Sequence, residues 1–173
     1  IAVTANVAVN KLEDYLIANY SFDEDTLKDS QNPENQDRNA QKIDGAVLVD
    51  GLAGKAVELP GGGKNKGAVK LPDDLLQVDG ATQDDFTVSM FMKRKSQGNS
   101  FAMILHGATV NESNPASYFG LINKDSQFRV EYRKDGTTKV LGENTKITPV
   151  DQWMHVAIVM KGSTGEAWLY QDG

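Results

Sequence analysis

The stretch that most constrains the fold runs from Asp151 to Gly173, Asp-Gln-Trp-Met-His-Val-Ala-Ile-Val-Met-Lys-Gly-Ser-Thr-Gly-Glu-Ala-Trp-Leu-Tyr-Gln-Asp-Gly. From Trp153 to Met160 every residue but His155 is apolar, on both parities. That pattern predicts a strand covered on both faces at the centre of a sheet. Gly162 to Gly165 predicts a turn, and Ala167 to Tyr170 the partner strand running back. Asp172-Gly173 is a hairpin-turn signal of the type I′ kind, whose two central residues need positive φ. A hairpin turn calls for a second strand, so a further strand is expected beyond Gly173, and the module is expected to be incomplete as it stands.

The chain has 173 residues, enough for one domain that buries roughly 70% of its unfolded surface. It has no cysteine, which excludes disulfides and thiolate zinc sites and leaves the compartment open. Ile1 is not an initiator methionine, and no signal peptide or run of about 18 apolar residues appears, so any targeting segment is expected upstream. No membrane insertion is expected. The formal charge of −6 lies in the first third: residues 1–50 carry ten acids against four bases, and residues 51–173 carry fourteen of each. A nucleic-acid binder needs a basic face with aromatic platforms, and a chain of pI near 4.9 with this distribution shows neither. The acidic stretch reads equally as a solvated loop or as a cation site.

Residues 1–9 alternate Val3, Ala5, Val7 and Val9 against Thr4, Asn6 and Ala8, a strand pattern that breaks at Lys11-Leu-Glu-Asp14. Residues 1–14 are read as the tail of a preceding immunoglobulin-like module or a linker, and residues 15–173 as the domain proper. Leu16 to Phe22 is expected as its first strand, ending in the acidic run Asp23 to Asp29. Residues 30–42 hold no apolar side chain larger than alanine or proline and are expected as an exposed loop. Strands are then expected at 45–49, 55–59, 67–71, 85–93, 100–106, 117–122, 127–132 and 137–141. The turn signals between them are Asp50-Gly51, Pro60-Gly-Gly-Gly63, Asn123-Lys-Asp125 and Lys134-Asp-Gly136. Phe86, Val88, Met90 and Met92 share one face of their strand, and Phe128, Val130 and Tyr132 one face of theirs, as inner faces of packed sheets do. Only Pro72 to Val78 suits a helical turn. The class predicted is all-β, a sandwich or jelly roll.

In this order the pieces resemble the LamG-like group of the concanavalin A-like lectin and glucanase sandwiches. They are Leu16-Ile-Ala-Asn-Tyr-Ser-Phe-Asp23, Asp29-Ser30, Gly51-Leu-Ala-Gly-Lys-Ala-Val-Glu-Leu-Pro-Gly61, Asp85-Phe-Thr-Val-Ser-Met-Phe-Met92, Tyr118-Phe-Gly-Leu121, Gln152-Trp-Met-His-Val-Ala157 and Gly165-Glu-Ala-Trp-Leu-Tyr-Gln-Asp-Gly173. The sequence departs from the group at Leu59-Pro60, where an aromatic and an acid are usual, and at Phe91, where tryptophan is. The resemblance implies a concanavalin A-like jelly-roll sandwich of two curved antiparallel sheets, the final strand lying beside the first. It implies a secreted bacterial setting, with neighbouring domains in the same chain.

The chemistry follows from what the motifs contain. Glucanases on such folds carry Glu-x-Asp-x-Glu on one strand, with alternate carboxylates on one face as nucleophile and acid. This chain has no Glu-x-Asp at all. His106 and His155 both lie in strand patterns, and Gly61-Gly-Gly-Lys64 lacks the strand and helix of a phosphate loop. Asp23, Asp25, Asp29 and Asn32 offer hard oxygens within ten residues, as a calcium ion with about 6–8 oxygen ligands needs. The resemblance implies structural Ca2+ near the end of the first strand, with Asp23 and Asp29 as ligands. Sugar recognition needs aromatic faces beside directed polar groups, for which Tyr118, Arg129, Tyr132, Arg133 and Trp168 are the candidates. The expected function is a non-catalytic, extracellular module that binds a polysaccharide beside a glycoside hydrolase. The alternative is a spacer or adhesion module without a sugar site.

Overall fold

Alternation decides the larger part of this fold, because an extended chain turns successive side chains to opposite sides. The computed structural model describes residues 12–23, 26–61, 67–78, 81–82, 85–96, 101–108, 118–125, 127–134, 136–143 and 149–173. These fall into two units, residues 1–82 and residues 83–173. Among the described residues no helix is long and apolar enough to cross a membrane.

The first unit is built of short antiparallel ribbons. β1 (Gln41–Ile43) pairs with β4 (Ala68–Lys70), β2 (Val47–Asp50) with β3 (Lys55–Glu58), and β5 (Gln77–Val78) with β6 (Ala81–Thr82). Leu12–Tyr15 and Gln36–Arg38 are 3-10 turns, the second capped by the Asn35 side chain, which accepts from the Asp37 N–H. The strand expected over Leu16–Phe22 joins no ladder among the described residues. Its backbone is instead held by the loop that follows: Ser30 N–H donates to Asn19 O at 2.8 Å, and Asn19 N–H donates to Asp29 Oδ1 at 2.8 Å. At Phe22 the chain turns with φ of 63°. The 30–42 segment is mostly exposed as expected, but Ala40 within it is buried, Gln41 and Lys42 at its end belong to β1 rather than to a loop, and Asp29 just before it is sealed from solvent altogether. Leu75 N–H donates to Pro72 O, closing the turn expected there, and the backbone then enters β5. The strand expected over residues 1–9 lies outside the described residues, as does Asp25.

The second unit is a two-sheet sandwich. β7 (Asp85–Lys93), β12 (Trp153–Lys161) and β13 (Glu166–Gln171) form one antiparallel sheet in the order β13-β12-β7. β8 (Ala102–Ala108), β9 (Tyr118–Lys124), β10 (Gln127–Lys134) and β11 (Thr137–Glu143) form the other, in the order β11-β10-β9-β8. Met154, Val156, Ile158 and Met160 of β12 face Leu121, Phe128 and Val130 of the four-stranded sheet in one buried cluster. Phe86, Met90, Met92, Phe119 and Leu169 pack around it, and the Phe86 and Phe119 rings meet edge to face at 5.5 Å. β12 is central, as its composition predicts, but only one of its faces is fully buried: Trp153, His155, Ala157 and Val159 on the other are half-buried. Asp172 and Gly173 adopt φ of 56° and 103°, the positive values their turn signal demands. Asp172 N–H donates to His155 O, and His155 N–H donates to Asp172 Oδ1, so this turn is fastened to the central strand.

Candidate functional site

Residues directly opposite each other in an antiparallel ladder point to the same side of the sheet, so register alone assembles the outer face of the four-stranded sheet. Arg129 lies opposite Ile122, Glu131 opposite Gly120, and Arg133 opposite Tyr118. From β8, Met103 pairs with Ile122, His106 with Gly120 and Ala108 with Tyr118, after a bulge between Met103 and Leu105. From β11, Val140 and Thr138 stand opposite Glu131 and Arg133.

Glu131 is the hub of this face. It is only 3% exposed, although it points away from the sandwich core. A carboxylate held from water must be hydrogen-bonded or paired. Here Tyr118 OH donates to Oε2 at 2.5 Å, and Arg129 Nη2 pairs with Oε1. The two contacts fix the Tyr118 ring and the Arg129 guanidinium with respect to each other. Arg133 extends the arrangement, its guanidinium lying 5.2 Å from the Tyr118 ring centre while its Nε donates to Thr138 Oγ1 at 2.8 Å. The His106 ring is 5.6 Å from that of Tyr118, and Arg129 lies 5.4 Å from the Phe101 ring. Gly120 makes room for the Met103 side chain, which lies across it: a Cβ there would come within 2.9 Å of Met103 Sδ. The arrangement thus joins two aromatic rings, Tyr118 and Phe101, with two guanidinium groups, an imidazole and a fixed carboxylate. Groups of these kinds are able to stack on a ring-shaped ligand and to hydrogen-bond its hydroxyls.

The structure brings Tyr118, Arg129 and Arg133 together on this face and separates Tyr132 and Trp168 from them. Tyr132 falls on the opposite side of β10, with Phe128 and Val130, facing the half of the molecule that forms the core. Trp168 lies on β13 opposite Val159, on the outer face of the three-stranded sheet. Glu131 is not among the candidates that the sequence motifs single out, though the alternation that marks Phe128 and Val130 as inward also marks Arg129, Glu131 and Arg133 as outward.

Asp23 and Asp29 lie in the first unit. Asp29 Oδ1 accepts N–H bonds from Asn19 (2.8 Å) and Gln31 (3.0 Å), while Oδ2 accepts from Asn32 Nδ2 (2.6 Å) and faces Arg38 Nε at 3.7 Å. The groups that meet its carboxylate are donors and a cation, and the Ile17 carbonyl beside them accepts from the same Asn32 Nδ2 and Arg38 Nη2, whereas calcium needs a cage of oxygens. An ion at Asp29 would have to displace Arg38. Asp23 Oδ1 accepts from Lys55 N–H at 2.9 Å and rests against Gly54. Among the described residues no three histidine, cysteine, aspartate or glutamate side chains gather closely enough to hold a metal.

A family model described as the concanavalin A-like lectin/glucanases superfamily matches residues 62–173, more than half of the chain. The chain belongs to that superfamily. Among solved structures, this concanavalin A-like chain is similar to domain 4 of AbnA, a GH43 extracellular arabinanase from Geobacillus stearothermophilus, in complex with arabinotriose. The TM-score is 0.68 at 19% identity, over 90% of this chain and 70% of that one. It is also similar to the carbohydrate binding module CBM66 from Bacillus subtilis, with a TM-score of 0.46 at 14% identity, over 77% of this chain and 73% of that one. No curated protein sequence matches it.

Proposed function

We propose that the chain is a non-catalytic carbohydrate-binding module and that the outer face of the four-stranded sheet receives the glycan. The observation that carries this reading is the Tyr118–Glu131–Arg129 network, a ring and a guanidinium locked in place by a sealed carboxylate. Such preorganisation serves a ligand, because an ordinary outer sheet face gains nothing from burying an acid. A glycosidase would need a second carboxyl group facing the first across the sugar, with one of them able to exchange a proton. Glu131 has both oxygens engaged, as a positioning group does. The similarity to an arabinanase domain whose structure holds arabinotriose supports glycan as the ligand class and a secreted glycan-degrading enzyme as the parent protein.

Affinity electrophoresis of the chain through gels containing arabinan, galactan, xylan, mixed-linkage β-glucan or levan, with and without calcium, tests the reading. Retardation by one class is expected, and Tyr118→Ala is expected to weaken it about tenfold or more, as loss of a central aromatic anchor does. A folded chain that migrates freely in every gel would leave a spacer or adhesion role as the better account.

A further inference from the structure

Trp168 stands on the side of the sandwich opposite Tyr118, and it does not stand alone. Register places Trp168 opposite Val159 and Thr87, Tyr170 opposite Ala157 and Ser89, and His155 opposite Phe91, all on the outer face of the three-stranded sheet. Trp168, Tyr170 and Phe91 are 42%, 44% and 61% exposed. Trp168 and Tyr170 are two residues apart on one strand, so their rings are about 6.8 Å apart along it, and Phe91 stands two strands away, about 10 Å across. Between these walls the floor is low, made by Ala157 and Ser89. A polar pair lies on the same floor: Ser89 Oγ and His155 Nε2 are 2.8 Å apart, with the Phe91 ring 5.1 Å from the imidazole.

We propose that this aromatic cradle is a second glycan-binding face, so that one sandwich holds two polysaccharide segments on opposite sides. The glycan-binding reading above supplies the ligand class; the cradle supplies the second site. Its exposed large apolar side chains are all aromatic, where an ordinary apolar patch would mix in leucine, isoleucine and methionine. Flat rings flanking a small-residue floor suit the C–H face of a sugar, which meets the negative face of an aromatic ring, and the Ser89–His155 pair offers hydroxyl partners beside it. Asp85, Lys161 and Glu166 sit at one end and Lys93 over Trp153 at the other, while Asp172 at the edge has a carboxylate oxygen held by the His155 N–H, which leaves the floor between Tyr170 and Phe91 suited to a neutral chain.

The test uses the whole chain and the five polysaccharides above, comparing wild type, Tyr118→Ala, and Trp168→Ala combined with Tyr170→Ala, with near-ultraviolet circular dichroism to confirm folding. Retardation in the gel and turbidity of chain mixed with free polysaccharide are read together. Each variant is expected to stay retarded but bind the immobilised polysaccharide about 100-fold less tightly, since loss of one of two linked sites removes avidity. Turbidity from cross-linking is expected for wild type alone. If the Trp168/Tyr170 variant keeps wild-type retardation and turbidity while Tyr118→Ala loses binding, the second face is overturned and the first stands. If the Trp168/Tyr170 variant loses all binding and Tyr118→Ala loses none, there is a single site on the aromatic face, and two-sided binding is overturned together with the placement proposed for the first. If wild type is retarded in no gel, both readings fall. If sedimentation shows wild type to be a dimer that the Trp168/Tyr170 variant breaks, the cradle is a protein interface and the proposal is overturned.

Discussion

Asp29 carries more of the first unit than any of its apolar side chains. Its carboxylate is sealed, and it gathers the Asn19 and Gln31 backbones, the Asn32 amide and Arg38 around one point. Arg38 in turn faces Asp74 at 3.8 Å, and its backbone carbonyl accepts from Tyr20 OH at 2.8 Å. Asp29→Ala is therefore expected to cost about 3 kcal/mol or more in denaturant unfolding, because it leaves those donors without an acceptor. A cost near zero would mean that water replaces the carboxylate freely. Since Arg38 already supplies a cation at Asp29, chelation with EDTA is expected to leave the melting temperature unchanged. A clear rise on adding calcium would show instead that the ion binds and that Arg38 yields to it. Gly54 makes a related point: its φ is 71°, and a Cβ would come within 1.9 Å of Asp23 Oδ1. Gly54→Ala combines backbone strain with a displaced Asp23 side chain, so a loss of about 1–2 kcal/mol is expected by the same measurement.

At the scale of the element, Asp85 shows how a strand end is secured. It opens β7 and accepts from both the backbone N–H (3.1 Å) and the hydroxyl (2.9 Å) of Ser163 in the turn between β12 and β13. Those bonds, first the backbone N–H and then the hydroxyl, hold its carboxyl pKa below the ordinary 3.8. A depressed pKa means that the folded state favours the ionised form. The stabilisation is complete above the unfolded pKa and is lost as pH falls through the folded one. An NMR titration is expected to show the Ser163 amide shifting with a midpoint below 3.8, and Asp85→Asn to remove that step; a midpoint above 3.8 would contradict the hydrogen-bonded geometry. The strands were the most legible part of the sequence. β7 begins and ends where the alternation of Phe86, Val88, Met90 and Met92 places it, and β12 runs one residue past Met160. Leu16–Phe22 read as a strand because its composition suits one, but the side chains of Asp29 and Ser30 take the backbone partners that a neighbouring strand would have supplied. Long-range polar contacts of that kind leave no periodic trace. The site was half legible for a similar reason. Alternation along β10 separates Arg129 and Glu131 from Tyr132, and i,i+2 spacing joins Tyr170 to Trp168, but which strands lie side by side is a property of register. Nothing local places Tyr118 opposite Arg133.

Across the whole molecule, apolar burial is unevenly shared. The buried cluster of Leu121, Phe128, Val130, Met154, Val156, Ile158 and Met160 lies within the second unit, between two sheets of three and four strands. The described strands of the first unit form two-stranded ribbons, and such ribbons are marginal by themselves in water. Hydrogen exchange should read this difference directly, because an amide exchanges through the cheapest opening that frees it. The interior strands β9, β10 and β12 are expected to exchange slowest, through global unfolding, while the amides of β1–β4, β2–β3 and β5–β6 exchange through local openings of lower free energy. Phe128 has no exposed surface, and Phe128→Ala should remove about 3–5 kcal/mol by deleting a fully packed ring. Because those three strands open only when the core does, all of that loss should appear as a common fall in their protection. An amide that exchanges through local opening of a ribbon should change little until global unfolding becomes the easier route. An equal fall in protection at every strand, ribbons included, would mean that the ribbons already share the global opening of the core. In that case the polar network around Asp29 and the apolar cluster around Phe128 would belong to one cooperative unit rather than two.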